Sequence, residues 1–410
     1  MKLNKFKIFL LLVVFIVGIS SIISYNSQKY SSSVNINDSK VKDNNMLSMM
    51  LETSAGSGEY KETTATSWPT DGYEFNETLS KCERGSKLSW DSTKKTVVMT
   101  GNNSDKCYVY FDKTITLVDY VKAQYTGTQG ENNLYFHDST LTNGAGDNSY
   151  RYAGSSETTN NFVCFGYDST DGTCPNDNLY RIIGVFDGEV KLIKYDYAKS
   201  TLLGTDGNYS NTYSSLMFST ASYKGNNSLS EIGIYYWNVL NQNEWSTSRL
   251  NTTNLNTNYL RNIGTKWSNK IATHTWKVGG NTTSNIYSVT ASNTYTNEIT
   301  TPAENTTYEA KVGLMYVSDY GYAASSSSWS TTLNNYNNVR ANNWMYIGLF
   351  QWTIARRSDN SNTAFYVIDG GSVDNDRVDN SYAVRPVLYL ASETVYAGGF
   401  GTASSPILIN

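Results

Sequence analysis

Four cysteines, Cys82, Cys107, Cys164 and Cys174, and two histidines, His137 and His274, are all the thiol and imidazole chemistry this chain holds. No Cys-x-x-Cys is present, and two histidines are too few for a zinc set of ordinary spacing, so the cysteines read as disulfides. Three pairings are formally open; sequence neighbourhood favours Cys82 with Cys107 and Cys164 with Cys174, each closing a local loop. Two acidic, glycine-containing stretches, residues 168–177 and 369–379, place Asp168 and Asp171, and Asp369, Asp374 and Asp376, on turns. Hard oxygens on turns suit Ca²⁺, as do those of Asp147-Asn148, but neither stretch has EF-hand spacing. Acidic hairpin tips are ordinarily just solvated, so the expectation is no cofactor, with calcium as the ion these turns would take. Gly-x-Ser-x-Gly, His-Glu-x-x-His and a P-loop are absent. His137-Asp138 would form a base-and-orienter pair only by accident of folding. A non-catalytic chain is expected.

Aromatic residues are the other resource. Tyr occurs 33 times and Trp 9 times, against 5 Pro. Tyr gives a rigid apolar face and a hydrogen-bonding tip, which suits polar ligands, although a β-rich extracellular fold has the same excess without any binding role. Trp344 and Trp352 are candidates for stacking against a sugar, with core packing as the competing role. Arg385 stands beside Pro386 in an apolar stretch. Its guanidinium is expected either to pair with a carboxylate such as Asp369 or Asp319 or to reach a ligand. Charged residues are 17% of the chain and the net charge is −4, which leaves no basic footprint for nucleic acid.

These residues need elements to position them. Lys2, Lys5 and Lys7 precede an apolar run that begins Ile8, Phe9, Leu10, Leu11, Leu12, Val13, Val14, Phe15, Ile16, Val17. Basic residues before such a run direct the C-terminal bulk across a membrane. The run is near the lower length limit for a spanning helix, so an uncleaved single-pass anchor is expected, with cleavage and secretion as the alternative. The expected organisation is therefore an anchor or signal at 1–25, a polar stalk at 26–45, a small β module at 46–113 and a larger α+β module at 114–410. In the small module, short strands alternate with turn clusters, and Trp90 lies between two cysteines as in immunoglobulin-type sandwiches. In the larger one, Leu117, Tyr120, Val121 and Tyr125 recur at helical spacing. Strands at 179–186 and 189–195 flank Asp187-Gly188, a hairpin signal. Residues 237–271 read as helix and loop, and 281–307 and 325–343 as polar loops. Further strands are expected at 311–318, 344–354, 364–368 and 383–390.

The closing segments Trp352-Thr353-Ile354-Ala355-Arg356-Arg357, Phe365-Tyr366-Val367-Ile368-Asp369-Gly370-Gly371 and Val384-Arg385-Pro386-Val387-Leu388-Tyr389-Leu390 resemble the ending of a bacterial surface-protein family of unknown function. Residues 245–260 and 313–318 are similar to that family's earlier landmarks. The resemblance implies a C-type-lectin-like, formylglycine-generating-enzyme-like fold over residues 179–409, and no assigned activity. The paired cysteines with which formylglycine-generating enzymes handle copper have no counterpart within that span. The functional expectation is an extracellular, membrane-anchored binding or adhesion module for a glycan or protein ligand. A structural surface protein that packs on the envelope is the alternative, and an enzyme a more distant one.

Overall fold

The computed structural model describes residues 33–35, 47–69, 72–102, 104–169, 172–212 and 222–410. The expected anchor residues Ile8 to Val17, the stalk apart from residues 33–35, and Asp171 lie outside them. Among the described residues no helix is long and apolar enough to cross a membrane. The chain is mixed α+β, mostly strand, and divides into two compact units, residues 1–115 and 116–410.

The first unit packs two sheets. One has the order β3 (Tyr60–Thr63), β2 (Leu47–Glu52), β8 (Cys107–Lys113), β4 (Tyr73–Phe75), with β5 (Lys81–Cys82) also on β8. The other has β1 (Ser33–Asn35), β7 (Thr96–Thr100) and β6 (Lys87–Asp91). Alternation along β8 turns Cys107, Val109 and Phe111 inward, where they meet Met49, Val97 and Met99 from both sheets. Cys82 sits directly opposite Cys107 and is bonded to it. Trp90 packs edge-on against Phe111, 5.8 Å between centroids.

The second unit opens with helix α1 (Leu117–Ala123), where the Thr116 side chain accepts from Asp119 N and Leu117, Val118 and Val121 are buried. Its larger sheet runs β18 (Val312–Gly313), β23 (Val387–Leu390), β13 (Glu189–Lys194), β12 (Leu179–Phe186), β10 (Ser149–Tyr152), β9 (Leu134–His137), with β11 (Phe162–Cys164) also on β12. Asp187 and Gly188 join β12 to β13 with φ of 49° and 84°, the left-handed pair a type I′ turn requires. A second sheet runs β14 (Tyr209–Ser210), β15 (Ile234–Tyr236), β22 (Ser381–Ala383), β19 (Gln351–Arg356), β20 (Thr363–Val367), β21 (Val373–Arg377). Two ribbons, β16 (His274–Lys277) with β17 (Thr307–Ala310) and β24 (Tyr396–Gly398) with β25 (Leu408–Ile409), complete it. Cys164 is bonded to Cys174.

Several expected elements differ. The 383–390 strand is two strands, one in each sheet, broken at Arg385-Pro386 because proline has no N–H for a ladder. Residues 311–318 supply only β18 before helix α2 (Val317–Tyr322) begins, with Asp319 accepting from Tyr316 N at 2.9 Å to cap it. Residues 344–350 form a buried turn and the strand starts at Gln351. The polar stretches expected as loops hold short helical turns at Ser284–Tyr287, Ala291–Tyr295 and Leu333–Asn338, each burying a residue such as Ile286, Ala291 or Leu333.

Candidate functional site

Strand register brings together a group of charges that lie far apart in sequence. Arg151 on β10 is opposite Gly184 on β12, and Gly184 is opposite Lys191 on β13. The three residues form one row on one face of the sheet, and the middle one has no side chain to separate the other two. A Cβ on Gly184 would stand 2.1 Å from the Tyr150 carbonyl oxygen, so the row requires glycine. Lys191 Nζ donates to Asp319 Oδ2 at 2.6 Å, with side chains 1% and 2% exposed. Arg151 donates from Nε to Ser149 Oγ at 2.8 Å and from Nη2 to Asp147, while its Nη1 is 4.0 Å from Asp319 Oδ1. Aromatic rings enclose both cations: Phe186, Tyr322 and Tyr295 around Arg151, and Tyr316, Phe186, Tyr389 and Trp276 around Lys191. A cavity of about 300 Å³ opens onto this group, with His274, Thr275 and Lys277 of β16 also on its wall.

The protonation chemistry follows from burial. Burial works to raise Asp147, but the Arg151 charge and hydrogen bonds from Ser149 and Tyr295 overcome it and hold the carboxyl at about 2. Burial lowers Lys191, with the Asp319 carboxylate opposing. Burial and the Lys191 charge take His274 down to about 4. His274 is therefore neutral at pH 7, and its 3.4 Å approach to Glu189 is not an ion pair there. Beside them Glu298, 2% exposed, accepts at Oε1 from Ser318 N at 2.8 Å, while its Oε2 is buried with no hydrogen-bond partner among the described residues. Burial pushes this carboxyl up to about 7.

A second cavity, of about 250 Å³, is lined by Tyr120, Gln124, Asn132, Asn133, Tyr152, Thr158, Asn160 and Phe400, none of them charged. Tyr120 projects from α1 and stacks on Tyr396 at 3.8 Å, and Phe400 is 59% exposed. Asn132 and Asn133 both have left-handed φ, 59° and 58°, a region Asn tolerates better than most residues. The amide nitrogens of Gln124, Asn132 and Asn133 donate to the carbonyls of Tyr120, Gln124 and Ala153. That fixes the side chains and leaves their amide oxygens as acceptors. Such a wall offers neutral hydrogen-bonding groups and aromatic faces, and it moves no proton.

The residues singled out from sequence lie elsewhere. Trp344 and Trp352 are fully buried and donate from Nε1 to the carbonyls of Tyr152 and Tyr235, so both are core. Arg385 is also fully buried, at the corner where the chain changes sheets. It donates to the carbonyl oxygens of Lys194 and Met345, and the expected pairing with Asp369 or Asp319 is not formed, because Asp319 is taken by Lys191. Asp168 pairs with Lys266. Asp374 accepts from Tyr287, and Asp376 from Asn380 and Tyr382. Asp369 is engaged through its carbonyl, by Tyr346. No group of three or more His, Cys, Asp or Glu that could hold a metal ion occurs among the described residues. His137 is buried and accepts at Nδ1 from Ala145 N, while Asp138 caps the turn at Thr140 and Leu141, so the two form no dyad.

Neither cavity was legible beforehand. Lys191 sits among Val190, Leu192 and Ile193, and a charge in an apolar strand is the one signal that could have marked it, as it marked Arg385. No protein-family model, curated protein or solved structure matches the chain.

Proposed function

We propose that this chain is an extracellular, membrane-anchored binding module whose larger unit takes a glycan in the uncharged cavity beside α1. The observation that carries the reading is the make-up of that wall: amide oxygens held in place by their own nitrogens, next to the faces of Tyr120 and Phe400. Sugars present hydroxyl donors and apolar C–H faces, and neutral amides with aromatic rings match both without the desolvation cost of a charge. The basic and apolar N-terminus and two disulfides fit a chain exported to an oxidising compartment. A C-type-lectin-like arrangement of the larger unit is part of the same reading, resting on the resemblance of its closing strands to a bacterial surface-protein family. The role proposed is contact rather than turnover: the uncharged wall moves no proton, and at the charged cavity Lys191 is paired with Asp319 and Arg151 with Asp147.

A glycan array probed with the soluble region from Met46 to Asn410 tests it. Saturable binding that falls about tenfold or more in Asn133→Ala and Phe400→Ala is the expected result. Absence of glycan binding, together with concentration-dependent self-association, would replace this reading with a structural role on the envelope.

A further inference from the structure

The charged group contains one member that the binding reading leaves unexplained. Lys191 and Asp319 satisfy one another, and Arg151 has Asp147, yet Glu298 is a further buried carboxyl, one of whose oxygens has no hydrogen-bond partner among the described residues. Left as a purely structural feature it costs stability. We propose that Lys191 and Asp319 condense into an intramolecular amide, Nζ to Cγ, with Glu298 carrying the proton, so that the chain ties its large sheet to helix α2 by a self-made isopeptide bond.

The geometry supplies each part of the step. Nζ is 2.6 Å from Oδ2, which places it within attack distance of Cγ, and both side chains are shut from solvent, so hydrolysis does not compete. The surrounding rings, at 4.5 Å for Tyr316, 5.3 Å for Phe186 and Tyr389 and 5.8 Å for Trp276, make a low-dielectric pocket. There, separated charges are disfavoured, and transfer of one proton from Nζ to Oδ2 yields a neutral amine and a neutral acid. The amine lone pair then adds to Cγ. Arg151 Nη1, 4.0 Å from Oδ1, faces the oxygen on which negative charge develops. Glu298 is held by the N–H of Ser318, next to Asp319, and is near enough for the charges of Lys191 and Asp319 to act on it. Its free oxygen takes the proton from the attacking nitrogen and returns it to Oδ2, which leaves as water. One C–N bond forms, one C–O bond breaks, and an ammonium and a carboxylate become an amide and one water, with no change of oxidation state.

Mass spectrometry of a digest of the full chain decides the matter. The expected product is a branched peptide joining the segments that contain Lys191 and Asp319, lighter than their sum by one water, about 18 Da, with tryptic cleavage after Lys191 lost. Glu298→Gln, which keeps the acceptor for Ser318 N–H, should yield the two segments unlinked while the far-UV circular dichroism remains native. Separate linear peptides from the unaltered chain, or a water loss that maps to other residues, overturn the proposal. An undiminished cross-link in Glu298→Gln overturns the part given to Glu298. Should that variant fail to fold, the digest of the unaltered chain decides the bond by itself.

Discussion

Glu298 shows how one side chain can set a property of the whole protein. Its carboxyl is raised from its ordinary 4.5 to about 7, so between those pH values the folded chain holds a proton that the unfolded chain has released. Stability from this group is complete below pH 4.5 and is lost as pH rises to about 7, by about 3 kcal/mol. His274 acts in the opposite sense: held at about 4, it favours the fold above its ordinary 6.5, and that advantage fades as pH falls toward 4. Because the two overlap, the difference between variants is the clean quantity. Urea unfolding across pH 4 to 8 should show stability rising more steeply with pH between 4.5 and 7 in Glu298→Gln than in the unaltered chain, because the His274 contribution is then unopposed, and matching slopes would mean that the Glu298 carboxyl is not held protonated by burial. Lys191 was detectable in principle as a charge within an apolar strand. Glu298 was not, because it lies in an Asn- and Thr-rich tract that reads as solvated loop, and only its packing against Ser318 makes it a buried acid.

At the level of elements, local chemistry was readable wherever it was self-contained. The helical spacing of Leu117, Tyr120, Val121 and Tyr125 announced α1, and Asp187-Gly188 announced the β12–β13 hairpin, since an apolar stripe and a type I′ turn are set by neighbours in sequence. Gly184 was not readable, because its requirement comes from the strand beside it. The two glycines should therefore respond differently to alanine. Gly188→Ala imposes a left-handed conformation on a residue with Cβ, costing about 1 kcal/mol. Gly184→Ala drives a methyl into the Tyr150 carbonyl and should cost about 3 kcal/mol, with β10 and its Arg151 displaced. Denaturant titration of both variants checks the order; equal losses would show that the sheet yields at β10.

For the whole molecule, the two units differ in what holds them. Among the described residues, eight buried apolar side chains make up the core cluster of the first unit, Cys107 among them, whereas the second has a continuous core that includes Trp237, Trp276, Trp344 and Trp352. The Cys82–Cys107 bond closes a separation of 25 residues and Cys164–Cys174 one of 10, for which chain entropy gives roughly 3.5 and roughly 2.7 kcal/mol. The same order of energy matters more to the smaller core. Removing both partners in Cys82→Ala/Cys107→Ala should give calorimetry with an early transition for the first unit and an unmoved one for the second; a single shifted transition would show that the units unfold together. The sequence alone determined the class of the chain: basic and apolar start, cysteines placed as near neighbours, mixed strands and one amphipathic helix, all properties of residues close together along the chain. The tertiary structure alone decided which residues form a site. Arg151, Lys191, Glu298 and Asp319 come from four separate segments joined by cross-strand register and helix capping, while Trp344 and Trp352 are buried as core and Arg385 is buried where the chain changes sheets. Contacts made across such distances are set by how whole elements pack, a quantity no window of sequence contains.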